Sequence, residues 1–185
     1  MFEIDEIKIE NSKKGVVTDN TQPVLSFSLR SDEGGCELSR AVVCVGNTEK
    51  EVTGQTGIVL DGLELEPFTE YTVKLTAFDN MGRSASKEAH FSTGRLSVPW
   101  TAKWITDKAY SFAKNTSPAP FTFRKSFSVK KPLKRAFVTA TALGIYELNI
   151  NGEKVGNEYF APGFTSYKHS LQYNLYDISG LLTAK

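Results

Sequence analysis

The chain has 185 residues, of which 40% are aliphatic, aromatic or cysteine and 23% charged; this excludes intrinsic disorder and collagen-like sequence and allows one large domain or two small ones. The net charge of +1 excludes a molecule-wide field that would draw nucleic acid. That average conceals a step: residues 1–96 carry 10 basic and 16 acidic side chains, net −6, and residues 97–185 carry 12 and 5, net +7.

No apolar run approaches the ~18 residues that span a bilayer. The start, MFEIDEIKIENSKKG, has neither the cationic end nor the apolar centre of a signal peptide. The expectation is a cytoplasmic chain without a membrane or nucleic-acid partner. Cys36 and Cys44 are too few for a disulfide framework and are read as reduced thiols, a bridge between them being the lesser reading.

Taken in chain order, short runs of Val, Ile, Thr, Phe and Tyr alternate with polar residues and are cut by Gly, Asn, Asp and Pro, which reads as all-β. Strands are expected at 24–29, 39–45, 51–52, 57–60, 70–79 and 86–92, a spacing that suits a sandwich. Along 70–79, Tyr71, Val73, Leu75 and Ala77 form an apolar row opposite Thr72, Lys74 and Thr76. The stretch 94–106, GRLSVPWTAKWIT, reads as a linker that docks, and 107–120 as a loop. Strand signals resume at 121–129 and 135–141. Tyr146, Leu148 and Ile150 then run into Asn151-Gly152, a type I′ hairpin signal that sets Val155 opposite Leu148.

Chemistry is sparse. His90 and His169 have no neighbours at metal-ligand spacing, and no phosphate loop or nucleophile elbow occurs. We expect no cofactor, no metal and no catalytic residue. Glycoside hydrolysis needs two facing carboxylates; the second half offers only Asp107, Glu147, Glu153, Glu158 and Asp177, with Glu147 and Glu153 read as the solvent face of the hairpin. Asp79-Asn80-Met81-Gly82 could offer oxygens to Ca²⁺ but reads better as a turn. Aromatic residues crowd the second half, and Trp100, Trp104, Tyr159 and Tyr167 are the candidates for stacking on a sugar, against a role in core or domain packing.

Two resemblances follow. From Leu63 to Gly94, the Leu65-x-Pro67-x-Thr69-x-Tyr71 corner, the row Val73, Leu75, Ala77, the Asp-Asn-x-Gly turn and the closing FSTG strand resemble a fibronectin type III or immunoglobulin-like domain, with Phe27 in place of the Trp many such domains bury. Further on, AKWIT at 102–106, FRKSFSV at 123–129 and ALGIYELNINGEKVGNEYFAPGFTSYKHSLQYNLYDISGLL at 142–182 are similar to the amino-terminal region of bacterial α-L-rhamnosidases. The resemblance implies an immunoglobulin-like module at 1–96, then a linker and the first part of a jelly-roll-like sandwich at 97–185, truncated because the family pattern continues past Leu182. It implies a non-catalytic segment of an inverting enzyme that removes terminal α-L-rhamnose and whose catalytic toroid lies downstream. The implied partners are that catalytic domain, a rhamnose-containing glycan and, through open strand edges, other copies of the chain. The competing reading is a stand-alone carbohydrate-binding or protein-interaction sandwich.

Overall fold

A strand that buries every second residue needs a second layer to bury them against, and the first ninety residues supply one. The computed structural model describes residues 1–107, 120–130 and 132–182. It divides the chain into units Met1–Thr101 and Ala102–Lys185.

The first unit contains β1 (Phe2–Ile9), β2 (Val17–Thr18), β3 (Val24–Ser31), β4 (Leu38–Val45), β5 (Thr48–Val52), β6 (Ile58–Val59), β7 (Glu70–Asp79) and β8 (Ser84–Thr93). One sheet has the order β1-β3-β6 and the other β2-β8-β7-β4-β5. All pairings are antiparallel except the short parallel contact of β2 with β8. The inward row of β7 is as expected, with Val73, Leu75 and Ala77 sealed completely. They share one core with Val43 and Phe91 of their own sheet and with Ile4, Leu25 and Phe27 of the other.

Sequence periodicity passes over β1. A register shift between Ile4 and Glu6 inserts one extra residue. The buried positions therefore fall at Ile4, Ile7 and Ile9 instead of at every second residue. Lys87 of β8 reaches this bulge and donates to the carbonyls of Ile4 (3.2 Å) and Asp5 (2.6 Å).

The Leu-x-Pro-x-Thr-x-Tyr stretch forms the corner that leads into β7. The Glu66 N–H donates to the Tyr71 hydroxyl at 2.7 Å, and the Tyr71 ring stacks on Phe91 with centroids 5.3 Å apart. Thr93, buried and polar, completes the corner: its hydroxyl donates to Glu66 O at 2.5 Å and accepts from Thr69 N–H at 2.9 Å.

The second unit contains β9 (Phe137–Ala140), β10 (Asn149–Ile150), β11 (Glu153–Lys154) and β12 (Asn174–Asp177), followed by a 3₁₀ turn at Ser179–Leu181. β9 pairs with β12, and β10 with β11. Asn151 and Gly152 both take the positive φ that the hairpin turn needs (54° and 89°). The ladder then sets Val155 against Leu148, with Val155 N–H donating to Leu148 O at 2.8 Å. The strand expected at 121–129 is not formed among the described residues: residues 121–130 join none of the sheets, and a strand needs a neighbour for its backbone hydrogen bonds. The loop expected at 107–120 lies, beyond its two end residues, outside the described residues.

Replacing Tyr71 by Phe removes the acceptor for Glu66 N–H while leaving the ring stack. We expect the first unit to lose about 1 kcal/mol in urea denaturation, without a change in the slope of the transition.

Candidate functional site

The Asp-Asn-x-Gly segment is a turn whose carboxylate is already occupied. Asp79 ends β7 with its side chain sealed, and its oxygens accept from Met81 N–H (3.0 Å), Arg83 N–H (2.7 Å), Arg83 Nε (2.7 Å) and the Cys36 thiol (3.5 Å). Burial by itself would raise this carboxyl; the bonds from Arg83, Met81 and Cys36 outweigh it and hold Asp79 at about 2. This satisfied acceptor set is the physical reason the segment turns the chain instead of presenting oxygens to a cation. Among the described residues no three His, Cys, Asp or Glu side chains are placed to hold a metal ion.

Cys36 and Cys44 are free thiols. Cys36 precedes β4 and Cys44 lies near its far end, so the extended strand separates them by roughly 20 Å, far beyond the ~7 Å limit for a bridge.

Two carboxylates of the second unit, Glu147 and Asp177, serve local structure. Glu147 accepts from Asn149 at 3.3 Å and pairs with Lys154 at 3.7 Å. Asp177 accepts from Ser179 N–H at 2.9 Å and lies 3.8 Å from Arg135; the Ser179 hydrogen bonds hold its carboxyl below the ordinary range, the opposite of what a general acid requires.

What ties this unit together is a hydroxyl cluster. Tyr146 donates to Asn174 Oδ1 at 3.0 Å, with Ala140 O at 3.4 Å and the Tyr176 hydroxyl at 3.3 Å also in reach. Burial, with Tyr176 beside it, pushes the Tyr146 hydroxyl far above its usual range, so it stays protonated and donates. Gly156 packs against this cluster at φ 78°: a Cβ there would meet Tyr176 Cε1 at 2.5 Å.

The four sugar-stacking candidates differ in their surroundings. Trp100 belongs to the first unit and is covered on one face by Arg95, whose guanidinium sits 4.1 Å from the ring centroid and also donates to Val98 O and Pro99 O. Trp104 stands 63% exposed in the second unit. Tyr159 carries Lys154 Nζ 4.6 Å from its ring. Tyr167 meets Phe164 at 5.6 Å with the rings tilted by 60°, so this pair is not a flat platform. Phe160 and Phe164, at 74% and 88%, are among the most exposed apolar side chains. Sequence reading noted these rings among the aromatics but had no signal for which of them would face solvent. Tyr110 lies outside the described residues. No helix among the described residues is long and apolar enough to cross a membrane.

Two family models match this chain: the Rha78A-like, N-terminal immunoglobulin domain over residues 4–97 and the alpha-L-rhamnosidase N-terminal domain over residues 131–185. An alpha-L-rhamnosidase of Alteromonas sp. (strain LOR) is 30% identical over 113 residues, 58% of this chain and 12% of that protein. The solved alpha-L-rhamnosidase from Dictyoglumus thermophilum superposes on 98% of the chain with TM-score 0.82 and 30% identity, and that from Aspergillus terreus shares the fold over 100% with TM-score 0.75 at 24% identity. The chain spans only 24% and 23% of those two proteins.

The Asp79 bonds carry a pH signature. Its folded value lies near 2 against an ordinary 3.8, so its stabilising contribution is complete above about pH 4 and is lost as pH falls toward 2. In urea denaturation across that window, Asp79→Asn should be the less stable form at neutral pH, with the gap to wild type closing as acid is added. A constant gap would contradict the assignment.

Proposed function

We infer, since the chain belongs to the Rha78A-like N-terminal immunoglobulin family of α-L-rhamnosidases, that it is the non-catalytic amino-terminal accessory segment of a glycoside hydrolase that removes terminal α-L-rhamnose from glycosides. The observation that carries this reading is the superposition of nearly the whole chain on one quarter of a solved rhamnosidase at 30% identity. In this reading residues 1–96 are the immunoglobulin or fibronectin type III-like sandwich. Residues 97–185 are the linker and the first part of the rhamnosidase jelly-roll-like sandwich, and the partner is a downstream catalytic domain of the same polypeptide. The two free thiols, in a geometry that forbids their bridging, support a cytoplasmic location.

The role assigned to the chain is mechanical. A unit with a continuous sealed core holds its shape and can position a neighbouring catalytic domain. The carboxylates of the second unit support this division of labour, since Glu147 and Asp177 are engaged by nearby lysine, arginine and backbone groups. The 185-residue chain should therefore release no p-nitrophenol from p-nitrophenyl α-L-rhamnoside; measurable release would overturn the accessory reading.

The exposure of Trp104 and Tyr159 supports a second reading, in which Trp104, Tyr159 and Tyr167 of the second unit, or Trp100 of the first, contact a rhamnose-containing glycan. Calorimetric titration with L-rhamnose and with a rhamnosylated oligosaccharide tests it. Heat that disappears in Trp104→Ala and Tyr159→Ala is the expected result if these rings bind sugar, and no heat with either ligand removes the reading.

A further inference from the structure

Beyond β8 the chain stays bonded to the first unit. Gly94, which is buried, donates its N–H to Thr18 O at 2.9 Å, and its carbonyl accepts from Phe68 N–H at 3.0 Å. Leu96 then donates its N–H to Asp19 Oδ1 at 2.8 Å. It does so at φ 48°, in the left-handed region that a bulky side chain seldom enters. Such a conformation costs energy and persists only where the surroundings impose it. Asp19 can impose it because its own loop is tied down: Asn20 donates its N–H to Thr18 Oγ1 at 3.0 Å and its side-chain amide to Glu10 Oε1 at 3.1 Å.

Arg95 fastens the turn that follows. Val98 N–H donates back to Arg95 O at 2.9 Å, while Arg95 Nη2 reaches forward to the carbonyls of Val98, at 3.0 Å, and Pro99. The same guanidinium lies 4.1 Å from the Trp100 ring centroid, so one side chain holds three successive residues. Pro99 adds a fixed φ of its own and restricts Val98 before it.

We propose that residues 94–100 are a fixed joint: Asp19, through Leu96, and Arg95, through the turn at Val98–Trp100, set the direction in which the chain leaves the first sandwich. The Gly, Ser and Pro of this stretch have the composition of a tether, but its bonds make it part of the first unit. Asp19 and Arg95 are positioning residues, since each acts on backbone or ring groups of the joint. The clasp draws only on residues between Glu10 and Trp100; its purpose alone, to present a following domain at a set bearing, rests on the mechanical role inferred above.

In the full chain carrying Cys36→Ser and Cys44→Ser, spin labels on Glu51→Cys and Thr101→Cys should give one narrow distance distribution in double electron–electron resonance. Asp19→Ala combined with Arg95→Ala should broaden it, and Asp19→Ala should speed hydrogen exchange of the Leu96 amide about tenfold or more, the size expected for losing a bond to a carboxylate. The amides of β7 and β8 should keep their protection in both variants, because Asp19 is exposed and Arg95 lies outside the sheets. Leu96→Pro, which leaves both clasping side chains in place but removes the N–H and forbids positive φ, should broaden the distribution in the same way. A broad distribution with the clasp intact overturns the proposal. So does a narrow one in the double variant or in Leu96→Pro, or a Leu96 amide whose exchange Asp19→Ala leaves unchanged.

Discussion

The sealed apolar layer between the two sheets of the first unit is the constraint on which the rest of the structure depends. Ile4, Leu25, Val43, Val73, Leu75 and Phe91 meet there with almost no exposed surface, contributed by five strands that are distant in sequence. Only a closed layer of this kind offsets the cost of ordering so much backbone. It also lets the unit carry polar groups at its edge: Thr93 is completely buried, but at a corner where Glu66 O and Thr69 N–H satisfy it. The corner and the core are thus one device, since Tyr71 stacks on the sealed Phe91 while its hydroxyl accepts from the chain that enters β7.

The second unit is organised differently. Among its described residues the sealed apolar side chains are Val155, Ala161, Pro162 and Ile178, too few to hold the described segments by burial alone. Polar ties substitute for a core. Tyr146 joins its own segment to Asn174 and Tyr176, the Ala136 N–H donates to Ser179 Oγ at 2.8 Å, and Asn151 Nδ2 donates to Leu181 O at 2.7 Å. Hydrogen bonds fix direction well but contribute only about 1 kcal/mol each. Beside these ties, large apolar side chains of the unit, Phe123, Phe127, Phe160 and Phe164, are exposed.

Legibility in the sequence followed locality. The Asn-Gly hairpin with Val155 against Leu148, the inward row of β7 and the turn at Asp79 could be read because each is decided within about ten residues. β1 escaped because its bulge breaks period two between Ile4 and Ile7. The strand expected at 121–129 failed for the complementary reason: its alternation is real, but a strand exists only when another segment accepts its hydrogen bonds. The same limit applies to the aromatic candidates. Composition located the rings, whereas the stacking of Arg95 on Trp100 and the tilt of Phe164 against Tyr167 depend on contacts that no spacing rule contains.

Charge follows the same division. In the acidic half many cations are already engaged: Arg30 lies 3.8 Å from Glu3 and 3.1 Å from Asp5, Lys13 2.9 Å from Glu6, Lys50 2.6 Å from Asp61, and Arg83 is bound to Asp79. Such exposed pairs add little stability, but they leave a surface on which the surplus is carboxylate. In the basic half, residues 120–135 hold six lysines and arginines and no acidic residue, and Arg135 finds its carboxylate outside the stretch, at Asp177 of β12. A closed sandwich distributes its ion pairs over its flanks, as the first unit does, whereas among the described residues of the basic half the ion pairs join a cation to a carboxylate of the hairpin or of β12, Lys154 to Glu147 and Arg135 to Asp177.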